Sequence, residues 1–358
     1  MKVVDLFAGC GGLSYGFKLA GFDIVLGIDC DRDCAKTFLK NHPGSDFIVG
    51  DIKKISEEQL RQKIGKRKIS VLVGGPPCQG FSVSGKRVFM NPQNSLYLEF
   101  FRILDILNPE FVLLENVPGL KSLYKGQALI NILMEFKKRG FFAAPELLVA
   151  SDYGVPQSRK RLFIVASKKG LFEFPKPYPK KITLSEAISD LSLLENKNED
   201  DKYISPPQNE YQKFMRKKSK KVYNHIAVNH SERTKNIIRL VPEGGNYKSL
   251  PKELQNTRKV NIAWTRLDSS KPSLTIDTGH RHHFHPWTDR VPTVRESARI
   301  QSFPDNFIFY GSKTSQYRQV GNAVPPLLAC AVAKQIKRWL ESGQISGTQR
   351  TLFQTASH

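Results

Sequence analysis

Acidic residues are scarce in this 358-residue chain: 33 Asp and Glu stand against 55 Lys and Arg, a formal net charge of +22. That imbalance argues for a polyanionic partner, nucleic acid first. The excess is not confined to one segment, since residues 173–291 carry 22 Lys and Arg against 14 Asp and Glu. Cysteine is scarce too. The five residues Cys10, Cys30, Cys34, Cys78 and Cys330 contain no C-x-x-C pair. Neither a zinc site nor a disulfide framework is suggested, and a reduced, cytosolic chain is expected. No apolar run reaches the ~18 residues of a membrane span. The opening "MKVVDLFAG" passes straight into a strand-like run, so no signal peptide is expected.

What the chain has is alternation. "KVVDLF" (2–7), "DIVLGID" (23–29), "DFIVGDI" (46–52), "ISVLVGG" (69–75), "FVLLENV" (111–117) and "RLFIVA" (161–166) read as strands. "LSYGFKLAG" (13–21), "RDCAKTFLKNH" (32–42), "SLYLEFFRILDIL" (95–107) and "ALINILMEFKKRG" (128–140) read as helices between them. Strand–helix alternation implies a doubly wound α/β fold on a mostly parallel sheet, with ligands beyond the carboxyl ends of the strands. Gly9-Cys10-Gly11, Asp29, Asp51, Cys78 and Glu115 each follow a strand and so fall on one rim.

From about residue 170 the pattern fades into the Pro-rich "FPKPYPKK" (174–181) and charged, apolar-poor runs. The division expected is a discontinuous catalytic domain (1–172 and 291–342), a smaller irregular domain (173–290) and a flexible tail (343–358). "GNAVPPLLACAVAKQIKRWL" (321–340) reads as a turn and a long helix packing back on the first sheet.

"DLFAGCGG" closes a strand and opens a helix, where glycines admit a ligand and the helix N-terminus favours an anion. Asp29 follows about 20 residues on, where nucleotide-binding folds read ribose hydroxyls. The spacing is G-x-G-G rather than G-x-G-x-x-G, which points to a nucleoside bearing a carboxylate instead of a pyrophosphate. S-adenosylmethionine fits that description.

Six ordered segments then resemble the C5-cytosine DNA methyltransferases of bacterial restriction–modification systems. They are "DLFAGCGG" (5–12), "GGPPCQGFS" (74–82), "ENV" (115–117), "QSRKRLFIVA" (157–166), "RESARIQSFPDNF" (295–307) and "GNAVPP" (321–326). The resemblance implies S-adenosylmethionine as cofactor, held by Phe7, Gly9, Gly11, Asp29, Cys30, Asp51, Pro76, Leu96 and Asn322. It implies double-stranded DNA as substrate, a cytoplasmic, nucleoid-associated location, and a cognate restriction endonuclease as possible partner. The family's position 29 is commonly Glu, and position 30 commonly bulkier, than the Asp and Cys found here.

The chemistry explains the residue types. Cytosine C5 is a poor nucleophile until a thiolate adds at C6, and Cys78 supplies that thiol. Charge then moves toward N3 and O2. Glu115 shares a proton at N3. Arg159, matched to the family position, stabilises O2 with Arg161 in support. C5 is inaccessible within a duplex, so the base must be flipped. By resemblance residues 79–95 form the loop that closes over DNA, with Gln79, Ser82, Lys86 and Arg87 as DNA contacts. Arg266 and Arg281, in a segment similar to the end of a recognition domain, are further candidates. The histidines around Arg281 lack a Cys or acidic partner, so no metal is assigned. "QRTLF" (349–353, Gln349 to Phe353) resembles sliding-clamp-binding peptides.

Two other readings stay open. A tRNA cytosine methyltransferase shares this chemistry but usually carries a Cys-Phe-Thr motif in the second domain, and no Cys lies between 78 and 330. A DNA-binding protein on an inactive methyltransferase fold would not need Cys78, Glu115, Arg159 and Asn322 together.

Overall fold

Residues 1–77, 95–194, 200–255, 264–278 and 283–342 are described by the computed structural model. The strands are β1 (Lys2–Leu6), β2 (Asp23–Asp29), β3 (Asp46–Val49), β4 (Val71–Gly74), β5 (Phe111–Asn116), β6 (Phe142–Val149) and β7 (Lys160–Ser167). They form one sheet in the order β3-β2-β1-β4-β5-β7-β6. β1 to β5 pair in parallel, whereas β7 runs antiparallel to both neighbours. The central strands are apolar on both faces because helices cover both.

The helices of this half are α1 (Gly12–Leu19), α2 (Arg32–Asn41), α3 (Glu57–Ile64), α4 (Ser95–Leu107) and α5 (Gln127–Lys138). Asp31 caps α2, accepting hydrogen bonds from the Asp33 and Cys34 amides. α3 and β6 lie outside the alternation read from sequence. α3 is short and charged, and its signature is the reciprocal cap between Ser56 and Gln59.

The irregular region holds α6 (Leu184–Ile188), α7 (Glu210–Arg216), α8 (Glu232–Arg239), α9 (Lys252–Gln255) and the two-residue strands β8 (Thr265–Arg266) and β9 (His283–Phe284). α10 (Val294–Ile300), α11 (Lys313–Asn322) and α12 (Pro326–Ser342) follow. α12 packs on α1 and the sheet, as expected; a Cβ at Gly16 would meet the Pro326 carbonyl at 2.6 Å. One apolar cluster joins Leu184, Tyr211 and Met215 to Val294, Phe303 and Phe307, and reaches Cys10 and Tyr15. This cluster draws on residues from both sides of positions 172 and 290, while Ile238, Val241, Leu250, Phe284 and Val291 form a separate one. Among the described residues, no helix is long and apolar enough to cross a membrane.

Candidate active site

A cleft of about 1090 Å³ opens at the carboxyl rim of the sheet. Of the residues singled out from sequence, it gathers Phe7, Gly9, Asp29, Cys30, Asp51, Pro76, Leu96, Glu115, Arg159, Arg161 and Asn322. They arrive from the ends of β1, β2, β3, β4 and β5, from α4 and α11, and from the start of β7.

The arginines reach this rim because β7 is reversed. Its first residues stand beside the last residues of β5, with Glu115 opposite Phe163. Arg161, two residues earlier, lies on the same face of the sheet. Its Nε sits 3.0 Å from Glu115 Oε1, both side chains largely buried. Burial pushes the Glu115 carboxyl above its ordinary range, and the nearby Arg161 and Arg159 guanidiniums pull it back. Gly75 leaves room for this carboxylate; a Cβ there would stand 2.9 Å from Glu115 Oε2.

Arg159 does something different from what the motif implied. It is fully buried, its Nη2 donates to the Gly321 carbonyl at 2.7 Å and its Nη1 to the Ile276 carbonyl at 3.3 Å. The guanidinium paired with the glutamate is therefore that of Arg161.

At the other end of the cleft the β1–α1 loop is shaped around Asp29. Its Oδ2 accepts from the Gly9 amide and its Oδ1 from the Asp31 amide, both at 2.9 Å. Gly9 has φ +53° and open space where a Cβ would sit, so a ligand can approach the backbone there. These features fit a nucleoside: carboxylates at Asp29 and Asp51 for hydroxyl or amino donors, and Phe7 as an apolar wall. Gly11 is a correction. It does not line the cleft; it has φ +90°, and a Cβ would stand 2.5 Å from His42 Cε1, so its glycine serves packing.

Arg266 is also corrected. It is buried, with Nε on the Val241 carbonyl at 2.7 Å and Nη2 on the Ile238 carbonyl at 2.7 Å and on Asp289 at 3.0 Å. A guanidinium so engaged holds its own framework and is not available to DNA. His283 and His285 are buried as well, with His285 3.4 Å from Glu296. Cys78, Gln79, Ser82, Lys86, Arg87, Arg281 and the segment Gln349–Phe353 lie outside the described residues.

Sequence reading missed several cleft residues. Asn116 donates to the Pro76 carbonyl at 2.8 Å and to the Tyr97 hydroxyl at 2.6 Å, so it fixes the backbone just before Cys78. A polar residue ending an apolar strand was the available signal. Thr275, Ile276, Asp277 and Thr278 also wall the cleft, although nothing in their local pattern marks them. Asp5 lines it too, buried against the Ser14 hydroxyl at 2.6 Å.

Comparison with known proteins agrees with this geometry. The family model described as C-5 cytosine-specific DNA methylase matches residues 1–338. The type II methyltransferase M.DdeI of Desulfomicrobium norvegicum is 38% identical, over 96% of this chain and 90% of its own length. M1.HphI of Haemophilus parahaemolyticus, also a type II methyltransferase, is 35% identical over 94% of this chain and 86% of its own. A solved structure described as a DNA modification methyltransferase encoded within an E. coli prophage is 27% identical with a TM-score of 0.80, covering 95% of this chain and 99% of its own. Spodoptera frugiperda DNMT2, at 18% identity and a TM-score of 0.60 over 94% of this chain and 99% of its own, shares the fold. A seven-stranded sheet with one reversed strand, a cleft at its carboxyl rim and a buried Glu–Arg pair within that cleft thus accompany a match along nearly the whole chain, and the chain belongs to the C-5 cytosine-specific DNA methylase family.

Proposed function

We propose that the cleft takes S-adenosylmethionine at its Phe7–Asp29–Asp51 end and a flipped cytosine at its Glu115–Arg161 end. The observation that carries this reading is the buried Glu115–Arg161 pair, set where the chain leaves Pro76 and Pro77 toward Cys78. Cofactor residues in the proposal are Phe7, Gly9, Asp29, Cys30, Asp51, Pro76, Leu96 and Asn322. When bound, S-adenosylmethionine supplies an electrophilic methyl group.

Cys78, as the thiolate, forms a bond to C6 of the base. The C5–C6 π electrons become available at C5 as the ring polarises toward N3 and O2. Glu115, raised toward protonation by burial, holds a proton at N3. Arg161 takes the place given earlier to Arg159 and stabilises charge at O2. Product release requires that a base remove the C5 proton while the Cys78 sulfur departs with its bonding pair. DNA contact is assigned to Gln79, Ser82, Lys86, Arg87 and Arg281, and target recognition to residues 173–290. A restriction endonuclease cutting the same site is the partner this reading implies.

Bisulfite sequencing of plasmid DNA from a methylation-free host expressing the chain tests the proposal. Protected cytosines within one short motif are expected, with protection lost in Cys78→Ala. A Cys78→Ala protein that still protects those cytosines would refute the thiolate step.

A further inference from the structure

Three features outside the reaction itself stand out: the buried Asp5, the Arg318–Asp31 ion pair at the mouth of the cleft, and the polar knot around Ile276. The knot carries furthest. Residues 273–276 are laid along residues 156–159: the Ser273 amide donates to the Pro156 carbonyl at 2.9 Å and the Ser158 amide to the Ser273 carbonyl at 2.8 Å. The chain then runs through Asp277 and Thr278 along the wall of the cleft, immediately before the segment that contains Arg281.

Both backbone groups of Ile276 are tied to α11. Its amide donates to Gln157 Oε1 at 2.9 Å. Gln157 Nε2 donates to Gln301 Oε1 at 2.7 Å, and Gln301 Nε2 donates to the Val320 carbonyl at 2.8 Å. Its carbonyl accepts from Arg159, whose other arm reaches the Gly321 carbonyl. Gln157, Arg159 and Gln301 are all buried. At Gly321 the two backbones meet directly, for a Cβ there would overlap the Asp277 carbonyl. Asn322, proposed above as a cofactor residue, is the next residue along.

We infer that this ring of hydrogen bonds makes Arg159 a positioning residue that couples the recognition segment to the cofactor end of the cleft. Arg159 enters this ring through Nη1 and Nη2, while its buried Nε has no partner. Such a buried ring resists partial distortion, because each broken link strands a desolvated group. A shift of residues 276–278 on DNA binding is then carried to Gly321 and Asn322, and ligand binding at Asn322 is carried back. Coupling of this kind is reciprocal: each ligand tightens the other by the same factor. The inference rests on the cofactor and DNA sites proposed above.

The test measures the Kd of S-adenosylhomocysteine by calorimetry, with and without a saturating duplex bearing the motif found by bisulfite sequencing. The wild-type chain is expected to bind it at least about fivefold tighter with DNA present. Arg159→Lys keeps the charge but not the two-armed reach. Gly321→Ala separates the backbones. In each variant the factor should fall below about twofold, while the Kd measured without DNA stays within about threefold of wild type. A merely structural role would weaken both measurements in parallel and leave their ratio unchanged. Arg159→Lys is the variant that decides if Gly321→Ala does not fold. An undiminished ratio in Arg159→Lys, or a wild type without coupling, overturns the inference. Absence of any protected motif in the wild type would instead refute the proposed function.

Discussion

In the sheet, Val4, Leu6, Leu72, Val73, Leu113 and Leu114 are wholly buried apolar side chains. In residues 184–309 several of the most deeply buried groups are arginines. Arg299 spans Asp305 at 2.5 Å and Asp190 at 3.1 Å. Arg295 holds the carbonyls of Tyr223 and Pro304 at 2.7 and 3.0 Å. Arg290 grips both oxygens of Glu296 at 2.8 Å. The first region is ordered by non-directional burial, which repeats with the period of its strands and helices. The second also uses directional bonds, some local, as from Arg290 to Glu296, and some between residues far apart in the chain, as from Arg299 to Asp190 and Arg295 to Tyr223. Such bonds hold irregular backbone in place by satisfying carbonyls that no helix or sheet can reach.

At neutral pH the largest expected effect comes from removing a charge at the centre of that network. Arg299→Met removes the cation shared by the buried Asp190 and Asp305, leaving Asp190 to Arg216 at 3.1 Å and Asp305 to Arg295 at 3.9 Å, and should cost about 3 kcal/mol. Urea unfolding would measure it. A cost below about 1 kcal/mol would mean that apolar burial orders both regions alike.

Asp5 inverts the comparison, being a buried carboxyl in the sheet with the acids Asp29 and Glu115 nearby. Burial raises it from 3.8 to about 7, with the Ser14 hydrogen bond opposing. The fold therefore holds the protonated form, and the unfolded chain loses that proton first as pH rises. The contribution of Asp5 is complete below about pH 4 and is lost by about pH 7, on the order of 4 kcal/mol. Asp5→Asn should flatten the fall in stability between about pH 4 and 7. Equal slopes in wild type and variant would show that Asp5 is not the group responsible.

The smallest effect is expected at the surface. Arg61 pairs with Glu57 at 2.6 Å in an exposed i,i+4 arrangement, and Arg61→Ala should change stability by less than about 0.5 kcal/mol. A larger loss in thermal melts would show that exposed pairs on this basic protein count for more than their solvent screening allows.

The rim was legible from the strand ends alone, because each chemistry-bearing residue followed an apolar run whose length fixed its position. Asp29, Asp51 and Glu115 were found in this way, and the cleft brings them together. Gly11 was misassigned because a glycine needed for packing against His42 is indistinguishable in sequence from one needed by a ligand. Arg266 was misassigned because exposure is a property of the folded chain.

The sequence by itself determined the alternating α/β architecture, the basic character and the order of the family's motifs, since these depend on local periodicity, composition and chain order. Only the tertiary structure decided which arginine meets Glu115. That choice depends on β7 entering the sheet antiparallel, which sets Arg161 beside the glutamate and leaves Arg159 buried between Ile276 and Gly321. Strand direction is fixed by connections and packing across the whole molecule, and no window of sequence around "QSRKRLFIVA" contains it.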